Sequence, residues 1–110
     1  MKEQRKHARY KTMAQVRVPA LFEGDSLLKD ISVTGCCIEC TMQVEVHPDT
    51  KYAIVVEPEA VSQIKPFELV AEYRWDSSGS DACIIGFFIV EFPKSKQFQR
   101  YVDYLAYHSS

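Results

Sequence analysis

Two arginines four residues apart, Arg5 and Arg9, and the run Asp30-Ile31-Ser32-Val33-Thr34-Gly35 about twenty positions further on are the residues whose types and spacing could do chemistry. An arginine is a planar, permanently charged fork of five donors, so a pair on one segment can grip a phosphate or a purine edge bidentately. Asp30 and Ser32 stand two apart, which on an extended segment sends both side chains off the same face. A carboxylate beside a hydroxyl both accepts and donates hydrogen bonds, which suits a guanine Watson–Crick edge with its N1–H and N2–H₂ donors beside acceptors. Gly35 adds a position where a positive φ carries no Cβ penalty, so that the chain can turn tightly or a ligand can approach the backbone.

RxxxR followed by DxSxxG resembles the signature of the PilZ domain family, and Arg5, Arg9, Asp30, Ser32 and Gly35 stand at the defined positions. The resemblance covers nearly the whole chain, in motif order, spacing and strand-rich body. It implies a small six-stranded antiparallel β-barrel with a C-terminal helix and a flexible basic N-terminal arm. The implied ligand is the bacterial second messenger cyclic di-GMP, with Arg5 and Arg9 on its phosphates and guanine faces and Asp30 and Ser32 on one guanine edge. The arm is expected to be mobile when free and to close over the ligand, and a downstream protein partner would read that change. In the family, the residue before the first arginine influences whether one ligand or an intercalated pair binds; here it is Gln4. Lys6 and Thr34 are further candidates, Lys6 for phosphate attraction, whereas His7 reads as solvent-exposed. The alternative is a PilZ-like adaptor that binds a protein partner with weak or no nucleotide binding.

Charge is distributed to match such an arm. The chain of 110 residues carries a formal charge of only −2, yet residues 1–11 hold five cations against one carboxylate, leaving −6 on the rest. A local basic arm on an acidic body suits a compact anionic ligand better than a long polyanion. With 46% hydrophobic residues the length suits one domain with its own core. Residues 1–12 read as the arm and 13–110 as the barrel with its helix.

The elements that must position these residues are mostly strands. Val16, Val18 and Ala20 alternate with polar neighbours before Phe22 and a turn at Glu23-Gly24-Asp25, with Pro19 marking an edge or bulge. Strands are expected at Leu27–Ile31 and Cys36–Met42, joined by the DxSxxG turn, and at Tyr52–Val56. A polar loop from Glu57 to Lys65 has room for one helical turn. Phe67, Leu69, Ala71, Tyr73 and Trp75 alternate with polar residues and Val70, a half-buried strand that ends in a flexible loop, Asp76–Asp81. The apolar run Ala82–Phe92 reads as a strand covered on one face by the barrel interior and on the other by the final helix. After Pro93, Ser95 is a plausible N-cap for a helix over about 94–108, whose Phe98, Tyr101, Val102 and Leu105 form one apolar stripe. Short strands and one terminal helix make a small closed or nearly closed barrel.

Other classes fit less well. A nucleic-acid barrel needs basic and aromatic residues interleaved along its strands, and Glu39, Glu45, Glu68, Glu72 and Glu91 stand there instead. His7, His47 and His108 are scattered, so no base accompanies Asp30 and Ser32, and no enzyme is expected. Cys37 and Cys40 form a CxxC, but on a strand positions three apart face opposite ways, so neither metal nor cofactor is expected and Cys36, Cys37, Cys40 and Cys83 read as reduced apolar fillers. No stretch is long and apolar enough to span a bilayer, and a cytoplasmic monomer is the expectation.

Overall fold

Apolar residues alternate with polar ones along most of the chain, a pattern that buries one face of a sheet. The computed structural model describes residues 8–21, 23–40, 47, 49–78, 83–91 and 96–108. They form β1 (Tyr10–Lys11), β2 (Gln15–Arg17), β3 (Ser26–Ile31), β4 (Gly35–Cys40), β5 (Lys51–Glu57), β6 (Phe67–Ser78), β7 (Cys83–Glu91) and the helix α1 (Gln97–His108). A 3-10 turn at Ala60–Ser62 occupies the polar loop between β5 and β6. Strands β3, β2, β5, β6, β7 and β4 pair in a ring, closing a six-stranded antiparallel barrel, and β1 is an extra strand on β3.

β1 and β2 are two pieces of one interrupted strand. Tyr10 and Lys11 face Ile31 and Asp30, while Gln15 and Val16 face Leu27 and Ser26, on the same side of β3. Thr12 spans the break: its amide donates to the Lys29 carbonyl (3.3 Å) and its hydroxyl to that of Leu28 (2.6 Å), and the same oxygen accepts from the Ala14 amide (3.0 Å). Leu28 N–H then returns a bond to the Ala14 carbonyl (3.0 Å). The interruption therefore leaves these buried backbone groups paired.

Inward side chains of every barrel strand meet in one core, with Val16, Leu28, Ile31, Ile38, Ile54, Leu69 and Ile85 wholly inaccessible. Phe98, Tyr101, Val102 and Leu105 of α1 join it, as their spacing predicts. The helix does not cover the outer face of β7. It packs chiefly on β1, with Phe98 and Tyr101 against Phe67 at the start of β6 (ring centroids 5.9 and 6.1 Å). The outer face of β7 is accordingly partly open, with Ile84 and Val90 half-buried and Phe88 42% accessible. Its apolar run reflects an open outer face rather than a second packed layer.

Two further boundaries differ from the sequence reading. β2 stops at Arg17, because Pro19 and Ala20 enter a turn closed by Leu21 N–H on the Val18 carbonyl (2.9 Å). β6 runs on to Ser78, so its pairing with β7 continues through Asp76 and Ser77 into the segment read as loop. Phe22, Met42, Pro93 and the Ser95 cap lie outside the described residues.

Candidate functional site

The two motif halves meet across β1 and β3. Arg9 Nη1 donates to Asp30 Oδ1 at 2.8 Å and lies 3.6 Å from Cys37 Sγ, joining residues 21 apart in sequence. Both bonds use Nη1, so among the described residues Nε and Nη2 keep their donors. Partial burial opposes the guanidinium charge, but the hydrogen bond and charge of Asp30 outweigh it and hold Arg9 above its ordinary pKa. Arg5, Gln4, Lys6 and His7 lie outside the described residues.

Ser32 is placed differently from Asp30. β3 ends at Ile31, so the extended alternation stops there, and Ser32 turns inward with 2% of its surface accessible. Its oxygen accepts from the amides of Thr34 (3.2 Å) and Gly35 (3.1 Å), and its own amide donates to the Gly35 carbonyl (2.8 Å). The Thr34 hydroxyl stands 3.3 Å from it, and the Thr34 carbonyl accepts from Ile89 N–H (2.8 Å). In this structure Ser32 and Thr34 build the β3–β4 turn. Among the described residues the positive-φ glycine is Gly24, not Gly35. Gly35 is needed for space instead: a Cβ there would sit 2.7 Å from the Phe87 carbonyl oxygen and 3.8 Å from Arg9 Nη2.

Two bulges shape the outer face beside this pair. In β3, Leu28 faces Ile38 but Asp30 faces Cys37, so Lys29 is an extra residue and Lys29 and Asp30 stand together against one partner. In β6, Tyr73 faces Phe87 but Trp75 faces Gly86, so Arg74 is extra. The second bulge breaks the alternation of Phe67, Leu69 and Ala71, which point inward, and turns Trp75 out to 45% accessibility. One row now runs across five strands: Lys11, Asp30, Cys37, Gly86, Trp75.

The indole lies back over Gly86, where a Cβ would come within 2.4 Å of it. The result is a shallow hollow of about 340 Å³ lined by Arg9, Lys29, Asp30, Cys37, Trp75 and Ile84. It brings two cations, a carboxylate and the Trp75 indole to one space. Sequence reasoning missed Trp75 because it read it as one more residue of a half-buried stripe. The signal it could have used is Gly86, a glycine inside a strand where something approaches closely.

Cys37 forms the floor, on the opposite face from Cys40, which belongs to the core and donates to the Cys83 carbonyl (3.7 Å). Burial, then the Asp30 carboxylate, raises the Cys37 pKa, and burial pushes Cys36 up to about 12. Both are thiols at neutral pH. Among the described residues no group of three or more His, Cys, Asp or Glu side chains could hold a metal, and no helix is long and apolar enough to cross a membrane.

A larger groove, about 540 Å³, lies between β1 and α1, lined by Arg9, Tyr10, Lys11 and Met13 and by Glu59, Tyr104, Leu105 and His108. It shares Arg9 with the hollow but lacks Asp30. Tyr101 fastens α1 nearby, its hydroxyl donating to Glu59 Oε1 (2.7 Å).

No family model matches the chain. No curated protein matches it either. Among solved structures, the inhibitor of motility of Bacillus subtilis, MotI/DgrA, superposes with a TM-score of 0.76 at 15% identity, over 96% of this chain and 50% of that one. The likeness supports a PilZ-like fold. The chain spans half the length of that protein.

Proposed function

We propose that this chain is a bacterial, cytoplasmic cyclic di-GMP receptor without catalytic activity, which passes ligand binding to a downstream protein partner. The observation that carries the reading is the Arg9–Asp30 pair at 2.8 Å, opposite the exposed Trp75 across one hollow. Both motif halves and an aromatic face border the same space. At about 340 Å³ it sits at the small end of ligand pockets, roughly 300–1,000 Å³, enough for one end of a dinucleotide.

In this reading a phosphate draws Arg9 off Asp30, and Asp30, relieved of its partner, accepts the N1–H and N2–H₂ donors of a guanine. The exchange is cheap, because an ion pair this exposed is worth less than about 1 kcal/mol. The base lies against Trp75, a contact worth roughly 1–3 kcal/mol. Ser32 and Thr34 hold the turn that fixes Asp30 and Gly35, and Gly35 lets that turn pack against the Phe87 carbonyl. Arg5, carried on the same segment as Arg9, closes over the second face, with Gln4 and Lys6 beside it. Ordering that segment changes the surface offered to a partner. The structural neighbour is named as an inhibitor of motility, a regulatory role of the kind such a receptor performs.

Trp75 is the single tryptophan, so intrinsic fluorescence reports on the hollow directly. Cyclic di-GMP should change its emission saturably, and GMP, GTP and cyclic di-AMP should do so weakly or not at all. A folded protein whose emission ignores cyclic di-GMP would turn the reading toward the adaptor alternative.

A further inference from the structure

Neither motif contains Lys29, yet it lines the same hollow as Arg9 and Asp30, because the β3 bulge turns Asp30 out beside it. Without the extra residue, Lys29 would follow Leu28 in ordinary alternation and Asp30 would point to the core. With it, two successive side chains leave on one side. The backbone around Lys29 is fixed at the interrupted strand opposite, where its carbonyl accepts from Thr12 N–H (3.3 Å). Its side chain is exposed.

Charge gives the residue its role. Arg9 is answered by Asp30, so this pair brings no net charge to an anion. The ion pairs among the described residues are Arg9–Asp30 and Arg17–Glu57, and neither involves Lys29. Lys29 therefore holds the unbalanced positive charge of the lining. A cyclic dinucleotide carries two phosphodiester anions. If Arg9 meets one, an unpaired cation in the same lining attracts the other.

Resting on the receptor reading above, we infer that Lys29 is a ligand-binding residue, pairing with a phosphodiester of the cyclic dinucleotide as the bulge presents it. An ammonium on a flexible stem suits that role, because it acts as a point charge and reaches either phosphate oxygen without a fixed fork geometry. Because the contact is exposed, its contribution is screened by salt.

Titration of wild type, Lys29→Gln, Lys29→Glu and Lys29→Arg with cyclic di-GMP, at low ionic strength and again in high potassium chloride, tests the assignment. Lys29→Gln should lose roughly tenfold in affinity at low salt, as expected for a bond to a charged group. Lys29→Glu should lose more, and Lys29→Arg should stay close to wild type. Affinity of Lys29→Gln should also fall less steeply with salt than that of wild type, a readout that a merely structural lysine would not move. Melting temperatures should coincide. Wild-type binding that Lys29→Gln reproduces in both affinity and salt dependence overturns this inference and leaves the receptor reading standing. No binding by folded wild type overturns both.

Discussion

Arg9 and Asp30 hold each other with side chains 33% and 22% accessible, so their pair adds less than about 1 kcal/mol to the fold. Replacing Arg9 by alanine should therefore leave the melting temperature within a few degrees of wild type. Ligand affinity should fall at least tenfold to a hundredfold, since bonds to a charged group are worth about 1.5–3 kcal/mol each. Calorimetric melting and titration on one preparation check both halves, and a large stability loss would make Arg9 structural. The two strand glycines should separate in the same way. Gly35→Ala drives a Cβ into the Phe87 carbonyl, which cannot rotate away, and strain of roughly 1–3 kcal/mol should appear in a denaturant melt. In Gly86→Ala the three atoms nearest the added Cβ all belong to the Trp75 ring. The ring should swing off β7, shifting tryptophan emission and weakening the ligand with a smaller effect on stability. Of these residues the sequence made Arg9, Asp30 and Gly35 legible by type and spacing. Trp75 was hidden, because its surroundings are set by a register shift that composition does not record.

At the level of elements, the site depends on a strand broken at residues 12–14 and on two bulges. Thr12 joins the broken halves through its hydroxyl, bonded to the Leu28 carbonyl and the Ala14 amide. Thr12→Val removes both bonds and leaves a buried carbonyl and amide unanswered, a cost of about 1–3 kcal/mol each. The expected result is faster amide exchange in residues 10–14 and weaker ligand binding, because Arg9 directly precedes β1. Unchanged exchange would show that β1 is held by its pairing with β3 alone. Apart from β1, whose residues the sequence reading left in the arm, strand and helix identities were legible in the sequence, since alternation and the stripe from Phe98 to Leu105 are properties of the local pattern. The bulges were not. An extra residue such as Lys29 or Arg74 leaves the pattern looking continuous, and only the partner strand reveals the slip. The placement of α1 was likewise out of reach: an apolar stripe says that a helix docks, whereas barrel closure decides that it docks on β1 and Phe67 rather than over β7.

At the scale of the whole molecule, two buried groups of the core link stability to alkaline pH. Burial raises the Cys36 thiol from 9.0 to about 12, and burial with the hydrogen bond to Glu59 raises the Tyr101 phenol. Both groups stay protonated in the fold while their unfolded counterparts ionise, so the unfolded state loses protons first. Stability should be full below about pH 9 and fall as pH rises toward about 12, and Cys36→Ala should move that fall to higher pH. Denaturant midpoints across the alkaline range read this out. The barrel itself was legible as a class, from short alternating strands and one terminal helix, and so was the β3–β4 hairpin, while the long-range β2–β5 and β4–β7 pairings needed three dimensions. Function rests on whether the hollow beside Arg9 takes up a guanine dinucleotide, and isothermal titration of the purified chain with cyclic di-GMP tests that most directly. The account predicts tight, guanine-selective heat that Arg9→Ala abolishes and that cyclic di-AMP and GMP fail to reproduce. No heat from protein shown to be folded would contradict it.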